Sequence, residues 1–255
     1  MPRPTTATGV PHPAPSVDPA EIARFAALAE EWWDPHGKFR PLHKFNPVRL
    51  AFIRDSLAGH FGRDPLKARP FSGLRLLDIG CGGGLIAEPM ARLGAAVSAI
   101  DAAEKTIRVA RLHAEQSGLS IDYRHAAAEE LVAAGESFDI VISLEVVEHV
   151  ADLDAFLAAC AALVRPGGAL VIATINRTPQ AFMLAIVGAE YVLRWLPRGT
   201  HDWHKFVRPS ELAAPLRRHN LAVRKLIGMS YSPLADEWRA SDDLSVNYMA
   251  LAAKN

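Results

Sequence analysis

The stretch Leu74-Arg75-Leu76-Leu77-Asp78-Ile79-Gly80-Cys81-Gly82-Gly83-Gly84-Leu85 constrains the fold more than any other part of the chain. Its branched apolar run reads as a buried strand. The glycines that follow let the backbone turn tightly and approach a ligand before an apolar helix begins at Leu85. Strand, loop and helix in that order open an α/β unit, and such units bind ligands beyond the carboxyl ends of their strands. The dinucleotide fingerprint G-x-G-x-x-G needs a third glycine where helix and strand touch, and Leu85 stands there instead. Asp78, inside the strand end, is suited to accept from an amino group or to order the loop through water. These features favour a nucleoside joined to an amino acid over a pyrophosphate. The next strand, Ala96 to Ile100, ends in Asp101, placed to accept from both ribose hydroxyls. Asp78, Gly80, Gly82 and Asp101 are therefore the candidate cofactor residues.

With 255 residues, 50% of them hydrophobic, the chain can bury one substantial core, so one domain with extensions is expected. The formal net charge is zero and the sequence pI is about 7.2, with no basic excess pointing to a nucleic-acid partner. Two cysteines, Cys81 and Cys160, are too few for a disulfide framework and fit a reducing compartment. The start lacks the basic-then-apolar pattern of a secretory signal. Residues 1–17, rich in proline and small side chains, read as a disordered leader. Residues 18–70 read as a helical extension. In it, Ile22, Phe25, Leu28, Trp32 and Trp33 have helical spacing, so the segment packs on the domain or caps its cleft. Residues 39–47 read as irregular, before a helix through Arg49, Phe52, Ile53 and Leu57. Arg49 is either a guanidinium matched to the cofactor's carboxylate or part of a solvated helix face.

From residue 71 the alternation is regular: strands at 121–124, 138–143 and 169–174, helices at 104–116, 129–134 and 153–164. That means right-handed crossovers and a parallel sheet. It breaks at about 177–206. There the apolar run Ala181 to Leu196 is interrupted by Glu190 and Arg194 and is shorter than the ~20 residues of a spanning helix. A substrate pocket wall, an interfacial helix with Trp195, Arg194 and Arg198 at the headgroups, and an ordinary buried helix all fit it. A helix at 209–218 and an antiparallel pair at the sheet edge, 221–227 with 246–252, close the chain.

The fourth strand delivers Glu145, Glu148 and His149 to the ligand side of the sheet. If one helical turn forms there, all three share a face able to hold a hard or borderline divalent ion, which would accept two vicinal phenol oxygens. The same residues also fit an acid-favouring helix N-terminus with a packed histidine. A phenol is ionised only about one part in a thousand at pH 7, a deficit of roughly 4 kcal/mol that a metal or a base would offset.

The glycine loop with Asp101 resembles the class I S-adenosylmethionine-dependent methyltransferases. Six stretches narrow the resemblance to the ubiquinone-biosynthesis O-methyltransferases: Trp32-Trp33-Asp34, Pro41-Leu42-His43-Lys44-Phe45-Asn46-Pro47, Glu145-Val146-Val147-Glu148-His149, Val187-Gly188-Ala189-Glu190-Tyr191, Gly199-Thr200-His201-Asp202 and Val246-Asn247-Tyr248-Met249. It runs from about Ile22 to Ala252. It implies a doubly wound, Rossmann-like α/β fold with a seven-stranded sheet, its last strand antiparallel. It implies S-adenosylmethionine held by Arg49, Gly80, Asp101 and Leu144, with Leu144 on the adenine. It implies Glu145, Glu148 and His149 as the catalytic centre holding a magnesium-like ion, and a polyprenylated phenol or quinol as substrate. The segment at about 181–198 would meet membrane lipid, which makes the protein cytoplasmic and peripheral to the inner membrane, in the company of other ubiquinone-synthesis proteins. Two departures stand out. Ala126-Ala127-Ala128-Glu129 occupies the region where many members carry an acid for the adenine amino group, and no residue declares itself as general base among His43, His149 and His204. Three other readings remain: another small-molecule S-adenosylmethionine methyltransferase, a nicotinamide-dependent dehydrogenase, against which Leu85 counts, and a non-catalytic cofactor-binding subunit docked through 181–196.

Overall fold

Strands that alternate with helices have to pair in parallel, because each crossover brings the chain back to the same end of the sheet. The computed structural model has this arrangement, and it describes residues 16, 18–27, 31–37, 39–184, 186, 202–232 and 235–255. The strands are β1 (Arg75–Ile79), β2 (Ala96–Asp101), β3 (Asp122–His125), β4 (Phe138–Leu144), β5 (Val164–Ile175), β6 (Leu221–Ser232), β7 (Glu237–Ser241) and β8 (Asn247–Lys254). They form one sheet in the order β3-β2-β1-β4-β5-β8-β6-β7. β1 pairs in parallel with both β2 and β4, so the winding reverses between β1 and β4 and a crevice opens beyond their carboxyl ends.

The helices are α1 (Pro19–Ala27), α2 (Arg40–His60), α3 (Ala87–Arg92), α4 (Glu104–Gln116), α5 (Ala128–Ala133), α6 (Leu153–Leu163), α7 (Pro179–Ala181) and α8 (Pro209–Arg218). Alternate strand residues point to opposite faces, and both faces are covered. Leu76, Ile140 and Ile142 pack with Phe52, Ile53 and Leu57 of α2 and Ile107 of α4. Leu77 and Val141 pack on the other face with Phe156 and Leu157 of α6 and Leu212 and Leu216 of α8. The helical extension is thus built into the core through α2.

Three expectations are corrected. The irregular stretch at 39–47 is helix: α2 begins at Arg40, with Pro41 in its first turn, and continues through Pro47. An internal proline forfeits a backbone hydrogen bond; here Phe45, Asn46, Arg49, Phe52 and Ile53 are all buried on that helix, and their packing outweighs the local breaker. The sheet has eight strands, not seven, because β6 runs on past Ile227 and folds back as the β6–β7 hairpin. The last strand is antiparallel as expected, yet β8 lies inside the sheet between β5 and β6, as its continuous buried run requires. β7, exposed along most of its length, takes the edge.

Ser16, at the end of the expected leader, is buried: its carbonyl accepts from Ala151 N at 2.7 Å and its N–H reaches Glu129 Oε1 at 3.1 Å. The rest of that leader except Ser16, and the apolar run from residue 187 to its end with the motif stretches at 187–191 and 199–201, lie outside the described residues. Among the described residues no helix is long and apolar enough to cross a membrane.

Candidate active site

The glycine loop leaves β1 and is pinned to β2 at once, since Gly80 N and Cys81 N both donate to Ile100 O, at 2.9 and 3.0 Å. Gly82 (φ +52) and Gly84 (φ +90) then adopt left-handed conformations that favour glycine. Space demands glycine as well. A Cβ on Gly82 would lie 2.5 Å from the Trp32 ring, and one on Gly84 2.2 Å from Tyr123 Oη. Asp101, at the tip of β2, fixes the loop through its two carboxylate oxygens, which accept from Gly82 N at 3.0 Å and Ala103 N at 2.8 Å. Burial pushes the Asp101 carboxyl up, and these two N–H groups pull it back. Asp78 is buried at the tip of β1 with Oδ2 lacking any partner among the described residues. Burial, and secondarily the neighbouring Asp101, raise its pKa to about 7.

β4 ends in a different device. Leu144 is its last residue and packs half-buried against the core. Glu145 then takes φ +55, the left-handed region, and this prevents a helical turn from starting there. A reverse turn follows, closed by His149 N donating to Val146 O at 2.8 Å. Arg49 projects from α2 to this point, 4% exposed, over the Phe45 ring at 3.9 Å and ion-paired with Glu145. Burial depresses the guanidinium pKa, and Glu145 and Glu148 oppose that. Glu148, buried, accepts from Thr174 Oγ1 at 2.8 Å. Desolvation, and then Glu145 beside it, push its carboxyl well above the ordinary range.

The shared face expected for Glu145, Glu148 and His149 is not formed. Glu145 is turned to Arg49, Glu148 to Thr174, and His149 Nδ1 lies 3.0 Å from Glu21 Oε2 of α1. No group of three or more His, Cys, Asp or Glu among the described residues is arranged to hold a metal. In this conformation the trio does not fit a divalent ion, because its three side chains are turned to different partners. Of the three histidines considered as base, His43 donates Nε2–H to Trp32 O at 2.9 Å, His149 faces Glu21, and His204 is exposed on the turn Trp203–Lys205.

The residues do fit a ligand carrying both amino and carboxylate groups. Asp78 Oδ2, Arg49 Nε, Ser143 Oγ, Glu148 Oε1, Trp32 Nε1 and Tyr123 Oη are all buried without partners among the described residues. An unmade buried hydrogen bond costs about 1–3 kcal/mol; Asn46, Thr106, Glu129 and Asn176 carry the four other such atoms among the described residues, and the six around the glycine loop and the tips of β1 and β4 are the set a ligand there could satisfy. Sequence reasoning missed Thr174, Glu21, Tyr123 and the reach of Trp32 over the loop; each comes from an element remote in sequence, and only the tryptophan pair left any signal.

A methyltransferase domain model matches residues 77–172, the segment from β1 to β5. The magnesium protoporphyrin IX methyltransferase of Synechocystis PCC 6803 with bound SAH shares the fold at TM-score 0.63 and 17% identity, over 92% of this chain and 94% of that one. An S-adenosylmethionine-dependent methyltransferase from Clostridium acetobutylicum does so at TM-score 0.59 and 12% identity, over 91% and 98%. Relatives in sequence are far nearer. The ubiquinone biosynthesis O-methyltransferase of Chelativorans sp. is 61% identical over 94% of each chain. That of Mesorhizobium japonicum is 60% identical over 96% of this chain and 99% of its own. Identity of this degree along nearly the whole length of both chains has one meaning: the chain belongs to the ubiquinone biosynthesis O-methyltransferases and is an S-adenosylmethionine-dependent enzyme.

Proposed function

We propose that the enzyme methylates a catechol-type hydroxyl of polyprenylated rings, 2-polyprenyl-6-hydroxyphenol and 3-demethylubiquinol, at both O-methylation steps of ubiquinone synthesis. The names of the relatives support the pathway. The observation that carries the site is the set of unpartnered buried groups between the glycine loop and the tip of β4. S-adenosylmethionine supplies an activated methyl group when bound. Asp78 takes its ammonium group and Arg49, whose Nε–H is unpartnered, its carboxylate. Asp101 takes the ribose, Gly80 and Gly82 give the backbone close approach, and Leu144 packs on the adenine. The acceptor ring lies against Glu145, Glu148 and His149. There a carboxylate of the Glu145–Glu148 pair takes the phenolic proton. What remains is an in-line displacement, in which positioning contributes most.

The magnesium-like ion belongs to this proposal only as a second arrangement of the same residues, in which Glu145 would leave Arg49 and His149 would leave Glu21. The polyprenyl tail and the membrane surface meet residues 181–198; the exposure of Phe182, Met183 and Leu184 supports this, at 42%, 56% and 60%. Such a protein works at the cytoplasmic face of the inner membrane, beside the other enzymes of the pathway. The test is one assay: pure protein, labelled S-adenosylmethionine and a short-chain prenyl catechol, with magnesium or with chelator. Methyl transfer to the catechol is expected. Its absence overturns the substrate assignment, and full turnover in chelator removes the ion from the mechanism.

A further inference from the structure

The turn at Trp32 and Trp33 lies directly on the glycine loop. Trp32 is so close that a Cβ on Gly82 or on Gly83 would fall 2.5 Å from it. Trp32 stacks on Phe39 with ring centroids 4.0 Å apart, and its Nε1 is buried with no partner among the described residues. Trp33 donates Nε1–H to the Gly83 carbonyl at 2.8 Å and lies flat on His113, centroids 3.5 Å apart and planes 5° from parallel. His113 Nδ1 is 2.5 Å from Glu88 Oε1, a carboxylate with no exposure that also receives Arg92 at 3.0 Å. A continuous set of contacts therefore runs from Glu88 of α3 through His113 of α4 and Trp33 to the loop.

We propose that the Trp32-Trp33 turn is the lid of the cofactor cleft: Trp32 is the cover, and Trp33 held on His113 and Glu88 is the latch. Exchange of S-adenosylhomocysteine for S-adenosylmethionine then requires the turn to lift from Gly82 and Gly83. This rests on the cofactor lying against the glycine loop, as proposed above. One hydrogen bond and one ring stack fasten the latch, strong enough to keep water out and weak enough to open at each turnover. Trp33 and His113 are positioning residues in this scheme, acting on the ligand through Trp32.

The test measures the dissociation rate of S-adenosylhomocysteine from the full-length protein by stopped-flow displacement. Trp33→Phe keeps the aromatic ring and loses the bond to Gly83, so dissociation is expected to be about three- to tenfold faster. His113→Ala removes the surface under Trp33 and should act in the same direction. Gly83→Ala is a third route, because Gly83 is not left-handed and the three atoms nearest its added Cβ all belong to Trp32; it carries the test if Trp33→Phe does not fold. A structural role alone would lower the thermal midpoint without changing the release rate. Wild-type dissociation rates in the folded variants overturn the lid. Asp101→Asn separates the two readings: undiminished binding there overturns the cleft placement and the lid with it, whereas weakened binding with unchanged release from the latch variants overturns the lid alone.

Discussion

Asp78 carries a cost that a ligand can recover. A carboxyl raised from 3.8 to about 7 gives up roughly 4 kcal/mol of folding stability above pH 7, because the folded state binds the proton more tightly than the unfolded chain does. The penalty is absent below pH 4, grows between the two values, and is complete above the upper one. Asp78→Asn is therefore expected to raise the thermal midpoint of the ligand-free protein at pH 8, with little change at pH 4, while weakening cofactor binding; thermal melts at the two pH values check it. In the wild type the ionised carboxylate is the form that holds an ammonium group. The dissociation constant for S-adenosylmethionine should then tighten about tenfold from pH 6 to pH 8, a trend absent in Asp78→Asn. A flat titration in the wild type would remove Asp78 from the site. Glu148 has a similar environment, buried beside Glu145. Glu148→Gln replaces an acid by a neutral isostere, so the fold should be retained at pH 7 while methyl transfer falls by at least about a hundredfold, the low end of a general-base contribution.

At the scale of elements, the site is made by places where the chain departs from regularity. The glycine loop is gripped from three sides, and two substitutions separate strain from contact. Gly118→Ala meets only the cost of a left-handed backbone, since nothing lies within 4 Å of its Cβ, and should lose about 1 kcal/mol. Gly84→Ala adds a collision with the buried Tyr123 hydroxyl and should lose about 1–3 kcal/mol more, read from denaturant melts. Helices whose signals are local were legible: α4 and α8 span the residues expected of them, because apolar spacing and end signals agree there. The first turns of α2 were not, because Pro47 is a local instruction that burial of its neighbours overrules. The turn at Glu145–His149 was read as helix-like for the same kind of reason: three polar residues at i, i+3 and i+4 say nothing about a left-handed residue at the first position.

Over the whole molecule, the cleft joins parts that would otherwise share only the sheet. The loop comes from β1–α3, its fixing acid from β2, the acidic turn from β4, Arg49 from α2 and the covering tryptophans from the segment before it. A ligand bound there at a hundredfold excess over its dissociation constant adds about 2.7 kcal/mol to the folded state. For a chain of this size that raises the thermal midpoint by roughly 5–10 °C. A melt with S-adenosylhomocysteine that shows no shift would mean that the folded protein does not hold it.

The sequence alone determined the alternation of strands and helices from β1 to β5, the glycine loop and the acid at the tip of β2. All of these follow from short-range pattern: apolar period, turn residues, and one motif in its strand-loop-helix context. Only the tertiary structure decided which acids meet which bases. The pairings of Arg49 with Glu145, of Glu148 with Thr174 and of Trp33 with Gly83 join residues from 26 to 96 positions apart. Contacts at such separations are fixed by how layers pack, which no local spacing encodes.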